Sequence, residues 1–247
     1  GLKYMAKIIA ITAGKGGTGK SSTCAGVSYA LAKKGHRTLI IELDFGLRCL
    51  DIMLGIKDRV AFDIGDFLAG RCDIYKTASI VGMANNLQLI SAASDPFMEI
   101  NPDKIMQACL DMGKYYEYII IDTAGVGAPV FKVLQKADMI LMVTTPDPVC
   151  VRDASILSDN LYVRGCKNQR LVINKMPDDV LKMGLVSDLD EMIDEVGIQL
   201  LGVIPDDINV PLSFGKGVPL PLNAPAQKAY TAIAARITGE EVPLSVR

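Results

Sequence analysis

The chain has 247 residues, half of them apolar and 22% charged, and its 26 Lys and Arg against 28 Asp and Glu give a net charge of −2. That composition excludes an intrinsically disordered chain, and the near-balance of charge argues against a protein whose main work is to coat nucleic acid. No apolar run approaches the ~18–20 residues of a membrane span, and Ile8–Thr12 is too short for the apolar core of a signal peptide, which points to a cytoplasmic protein.

Short apolar strands alternate with helical stretches, the pattern of an α/β fold in which a mainly parallel, twisted sheet carries helices on both faces. Lys7–Thr12 is the first strand; a glycine-rich loop and a helix over Lys20–Lys34 follow, with Gly35 placed to end that helix. Arg37–Glu42 is the next strand, and Val60–Leu68 reads as a helix ending near Gly70. Leu87–Ile90 is a short strand, and Pro102–Met112 is a helix opened by its proline. Tyr118–Asp122 is almost wholly apolar, as expected at the centre of a parallel sheet, and Met139–Thr144 is another strand. A helix follows Pro148, and Arg170–Asn174 and Leu200–Ile204 are the last strands. The closing helix, Pro225–Ile237, carries Ala226, Tyr230, Ile233, Ala234 and Ile237 on one stripe. With no repeat, low-complexity tract or linker, residues 1–247 are expected to form one domain, residues 1–4 preceding a start at Met5.

Gly14-Lys15-Gly16-Gly17-Thr18-Gly19-Lys20-Ser21 matches the phosphate-loop pattern G-x-x-x-x-G-K-[ST], between a strand and a helix that continues with Ser22. Glycines let backbone N–H groups turn inward around phosphate oxygens, and the helix N-terminus adds its positive dipole end. Lys20 is expected at the β- and γ-phosphates and Ser21 on Mg²⁺, which makes ATP or ADP with Mg²⁺ the expected ligands. Asp122, at the C-terminal end of its apolar strand, is placed to hold Mg²⁺; its plain alternative is a strand-end acid capping a turn. Gly125 can bring its N–H to the γ-phosphate. Asp44, just past the second strand, is the best candidate to orient the attacking water and a candidate for the metal; otherwise it is a solvated loop acid. Asn174 can both donate to and accept from an adenine edge, with Lys175 beside it and Pro205-Asp206 as the opposite wall; Asn174 could equally just end its strand. The six cysteines are never closer than sixteen residues, and His36 is the only histidine, so neither a Cys-x-x-Cys pair nor a His/Cys metal site is expected.

Lys15 is a second lysine in the loop. With it, K-G-G-T-G-K-S resembles the deviant Walker A motif of the MinD/ParA ATPases. The resemblance implies that Lys15 crosses a dimer interface to the nucleotide held by the other subunit, placing positive charge where phosphoryl transfer develops negative charge. Glu42–Asp51 is similar to the stretch Asp-x-Asp-x-Gly-Leu-Arg-Asn-Leu-Asp of the MinD branch, through Asp44, Gly46, Leu47, Arg48, Leu50 and Asp51. Glu42 and Cys49 depart from it, replacing aspartate and asparagine. Asp122-Thr123-Ala124-Gly125 resembles Asp-x-Pro-Ala-Gly without the proline, and the family's adenine contacts fall at Asn174 and at Pro205-Asp206. Val151-Arg152-Asp153-Ala154-Ser155 resembles the stretch with which that branch meets a MinC-like inhibitor and a MinE-like regulator, departing at Ser155 and Ile156.

The resemblance spans Lys7 to about Glu241. It implies a Mg-ATPase that forms a homodimer on ATP, returns to monomer on hydrolysis and acts in division-site placement. A ParA-type partitioning ATPase, a flagellar-placement ATPase and a dethiobiotin-synthetase-like ligase share the fold; a ParA role would call for a basic DNA-binding face, and no cluster exceeds Lys33, Lys34 and Arg37. An iron–sulfur carrier would need a close cysteine pair. The tail Thr238–Arg247 has two acids, one arginine and a proline in place of the basic amphipathic helix with which such proteins grip membranes. The 247-residue chain is therefore expected not to bind anionic liposomes itself, reaching a membrane through a partner or an anchor removed from this sequence.

Overall fold

The computed structural model describes residues 5–125, 127–179 and 186–244. Its strands are β1 (Lys7–Thr12), β2 (Thr38–Glu42), β3 (Ala78–Ile80), β4 (Leu87–Ile90), β5 (Tyr118–Asp122), β6 (Met139–Thr144), β7 (Gln169–Met176) and β8 (Gln199–Pro205). They form one sheet in the order β3-β4-β2-β5-β1-β6-β7-β8. All neighbours run parallel except β3 and β4. The helices are α1 (Lys20–Lys33), α2 (Leu50–Met53), α3 (Ile64–Leu68), α4 (Pro102–Met112), α5 (Ala128–Lys136), α6 (Pro148–Val163), α7 (Val186–Val196), α8 (Asn209–Lys216) and α9 (Pro225–Ile237).

Successive residues of a strand face opposite sides of a sheet, so central strands with helices on both faces must be apolar throughout. In β1, Ile8 and Ala10 enter the core shared with α4, α5 and α6. Ile9 and Ile11 enter the core shared with α1 and α9. The stripe expected on the closing helix is buried in full, with Tyr230 completely enclosed. Gly26 of α1 lets that ring approach: a Cβ there would stand 2.4 Å from it.

Several boundaries differ from the sequence reading. The helix expected over Val60–Leu68 begins at Ile64, because Asp63 accepts from the N–H groups of Gly65 and Asp66 while Asp66 accepts from Asp63, a capping box. Polar contacts thus override the apolar periodicity of Val60–Phe62. β7 runs two residues beyond Asn174, to Met176, through an irregularity against β8 at which Lys175 takes φ 55°. Asn174 and Lys175 therefore lie within the strand, on a bulge that re-aims their side chains. β3, α2, α5, α7 and α8 were not foreseen. Arg236 donates to the carbonyls of Val242 and Pro243, so the tail folds back upon α9. Residues 1–4 and 245–247, on which the readings of both chain ends partly rest, lie outside the described residues. Among the described residues no helix is long and apolar enough to cross a membrane.

Candidate functional site

The phosphate loop leaves the C-terminal end of β1, between β5 and β6, where parallel sheets place their ligand sites. Gly17 and Gly19 hold φ of 83° and 86°, a region costly to residues with a Cβ. Gly14 is needed for another reason: a Cβ on it would stand 2.5 Å from the backbone of Asp153, in the second turn of α6.

The loop's two functional side chains converge on one carboxylate. Asp122 is fully buried. Ser21 donates its hydroxyl to Asp122 Oδ2 at 2.7 Å, and Lys20 Nζ bonds to Oδ1. Asp44 Oδ2 lies 3.7 Å from the same ammonium. Burial pulls the Lys20 ammonium down in pKa, but Asp122 and Asp44 outweigh it, and the net shift is upward. Lys20 is thus a fixed cation. Burial pushes the Asp122 carboxyl up, against Lys20 and Ser21.

A hydroxyl and a carboxylate side by side are hard oxygen donors, suited to Mg²⁺ and not to soft metals. Open space surrounds Gly16 and Gly17 at their Cβ positions, and Thr18 keeps a buried hydroxyl without a partner. The residues present therefore fit a phosphate chain with its magnesium. Among the described residues there is no cluster of His, Cys, Asp and Glu that would hold a different metal.

Beside the loop opens a cavity of about 1060 Å³, lined among others by Gly17, Gly19, Asn174, Lys175, Pro205 and Asp206. The structure thus brings the expected base-site residues together with the loop. Asn174 itself is engaged: its Nδ2 donates to the Thr18 carbonyl at 2.8 Å, while Lys175 Nζ donates to that of Gly17 at 2.9 Å. Ser22 lines the cavity and donates to the Gly19 carbonyl. Cys49 lines it too, its thiol pushed up to about 11 by burial first and by Glu42 second, which makes it a poor nucleophile. Lys15 and Gly125 are exposed. Asp147, which caps α6, is held below the usual carboxylate range by the Cys150 N–H first, with Lys15 adding to it.

Two features escaped the sequence reading. Asp207, in the cavity wall, accepts from the backbone N–H groups of Asn209 and Ala226, both at 2.9 Å, and so joins α8 to α9. The usual helix-start signal is missing here, because the residue before the helix is Ile208, which makes no side-chain cap bond. Glu42, which stands where the resembled motif has aspartate, is a buried anchor: Oε1 accepts from Cys49 N at 2.8 Å and Leu50 N at 3.0 Å, and Oε2 from Ala92 N at 3.1 Å. The other expected partner residues lie along α6. Arg152 and Ile156 are exposed, whereas Ser155 donates to the Glu195 carbonyl at 2.7 Å and is spent on packing against α7.

Residues 9–220 match the family described as the CobQ/CobB/MinD/ParA nucleotide binding domain. The chain is 33% identical to the septum site-determining protein MinD of Bacillus subtilis over 248 aligned positions, covering 98% of this chain and 92% of that protein. It is 32% identical to the protein of that name from Synechocystis, with 97% and 92% covered. Among solved structures it is similar to the Aquifex aeolicus MinC:MinD cell division protein complex, at a TM-score of 0.87 and 30% identity over 97% of this chain and 98% of that one.

Proposed function

From the premise that this chain belongs to the CobQ/CobB/MinD/ParA nucleotide-binding family and is MinD-like in sequence and fold, we propose that it hydrolyses ATP with Mg²⁺ as a dimer switch in division-site placement. One observation carries the reading: Lys20, Ser21 and Asp122 meet in a single bonded group at the floor of the loop. Ser21 and Asp122 would hold the magnesium, which would neutralise the charge of the phosphates.

Each residue then has a task. The loop's N–H groups and the α1 N-terminus receive the phosphates. Lys20 transfers its ammonium from Asp122 to the β/γ oxygens, which frees Asp122 and Ser21 to face the metal. Asp44 orients the attacking water; phosphoryl transfer asks for placement more than for a strong base. Asn174, Lys175, Pro205 and Asp206 enclose the base. Lys15, solvent-facing on its own chain, reaches the nucleotide of a second copy. ATP can drive dimerisation only by binding the dimer better than the monomer.

A MinC-like protein is the favoured partner, since the similar Aquifex aeolicus MinD was solved in complex with MinC. The outward face of α6, with Arg152, Asp153 and Ile156, is the surface offered to it. A MinE-like regulator and attachment to the inner face of the membrane belong to the same reading. The test is ATP turnover with added anionic vesicles, duplex DNA or a MinC-like protein. Stimulation by vesicles with a regulator supports a surface-dependent switch; stimulation by DNA alone overturns it in favour of a partitioning ATPase.

A further inference from the structure

The segment that carries Asp44 is a loop with few internal contacts. Leaving β2 at Glu42, it passes Asp44, makes one 3-10 turn over Phe45–Leu47, and enters α2 at Leu50. Within the turn, the Leu47 N–H donates to the Asp44 carbonyl at 3.2 Å. A loop so lightly bonded does not hold a carboxylate to a fraction of an ångström by itself, which is what water placement demands.

Besides the Leu43 N–H bond to the Asp122 carbonyl at 2.8 Å and the Lys20 ion pair of Asp44 at 3.7 Å, two side-chain ties hold the far half of the loop from outside. At its base, Glu42 Oε1 takes the N–H groups of both Cys49 and Leu50, so one side chain closes the loop where it enters α2. Oε2 takes the N–H of Ala92, two residues beyond β4. Just before α2, Arg48 donates to Asp51, to Asp63 and to Ser94 Oγ, at 2.9, 3.2 and 2.8 Å. Residues 92–94 thus form a common post for both ties. Glu42 is completely buried, a costly place for a carboxylate unless every acceptor is used. It is in register with Asp122 across β2 and β5, so the residue that ties the loop and the metal-side carboxylate end neighbouring strands at the same level.

We infer that Glu42 is the positioning residue for Asp44: its carboxylate bonds the entrance of α2 and the segment after β4 together, and so sets where the Asp44 carboxylate stands over the phosphate loop. The inference rests on the proposed ATPase reading and deepens it. Glutamate, not aspartate, is required by the geometry. Aspartate is one methylene shorter and cannot reach Cys49, Leu50 and Ala92 together without moving the loop. Glutamine keeps one acceptor oxygen but turns an NH₂ toward one of the N–H donors, breaking one tie and sparing the other.

The test is a double-mutant cycle read by single-turnover ATP hydrolysis and by Mg-ATP affinity, with thermal melting to verify folding. Glu42→Asp is expected to slow hydrolysis by about ten- to a hundredfold, with ATP affinity changed less than about twofold. Glu42→Gln, closer in shape, serves should the aspartate variant not fold, and is expected to lose less. In an Asp44→Ala background either substitution is expected to have no further effect on rate, because the residue it acts through is gone. An equal loss with and without Asp44, or a fall in affinity that matches the fall in rate, overturns the positioning role. Absence of Mg-ATP hydrolysis by the unsubstituted protein in the same single-turnover assay would instead overturn the ATPase reading and this inference with it.

Discussion

Ser21 donates to Asp122 across 2.7 Å, so two of the three oxygen ligands expected at the magnesium are already joined, and Lys20 lies on the same carboxylate. Three groups expected around the nucleotide thus hold one another. In the proposed mechanism, binding would exchange these contacts for contacts to phosphate and metal, so that no buried charge would lack a partner at either end of the exchange.

Lys20→Ala removes the cation from both partners. It is expected to abolish Mg-ATP binding and to destabilise the fold by roughly 3 kcal/mol, because Asp122 is left buried and unpaired. Adding Asp122→Asn should restore much of that stability without restoring binding. Isothermal titration and urea unfolding check the two halves. Near-normal ATP affinity in Lys20→Ala would remove Lys20 from the site.

Asp44→Ala is expected to bind Mg-ATP and dimerise, yet hydrolyse at least about tenfold more slowly, since water placement typically contributes factors of this size or more. The ATP-bound dimer should then accumulate in chromatography. Unchanged turnover would move the catalytic role to another residue.

Gly14→Ala tests the contact between the phosphate loop and α6. The added Cβ would stand 2.5 Å from the Asp153 carbonyl, so the loop or the helix must move. Overpacking of this kind costs about 1–3 kcal/mol, and nucleotide affinity should fall with it. Gly16→Ala meets open space and serves as the control. Equal effects at the two positions would refute the steric account.

The central strands and the phosphate loop were legible because each rests on local pattern: unbroken apolar runs, and glycines at fixed spacing before Lys20. The stripe on α9 was legible from its helical period. What could not be read depends on contacts between distant segments. Asp63 begins α3 because of its own carboxylate and that of Asp66, against an apolar period that suggested Val60. Asn174 lies on a bulge because β7 pairs on with β8 after the irregularity. Glu42 looked like a longer aspartate; its work as an anchor shows only once Ala92, fifty residues away, is beside it.

The α3 capping box gives a pH dependence. The Asp63 N–H first, and Arg71 after it, hold the Asp66 carboxyl below its ordinary value of 3.8. The folded state therefore binds fewer protons than the unfolded one, so this contribution is full above pH ~4 and is lost as pH falls through the lowered value. Asp66→Ala should cost about 1 kcal/mol at pH 7, with the difference from the unsubstituted protein shrinking toward pH 3. A difference that does not change with pH would show that the ionised carboxylate is not its source.

The central claim is that ATP couples two copies of this chain through Lys15. Sedimentation velocity of the Asp44→Ala protein, with and without Lys15→Ala, tests it directly in Mg-ATP and in Mg-ADP. The expected result is a dimer in Mg-ATP alone when Lys15 is present, and a monomer that still binds Mg-ATP when Lys15 is replaced. A Lys15→Ala protein that dimerises as readily with Mg-ATP, or a Lys15 protein that binds Mg-ATP and stays monomeric, would contradict it.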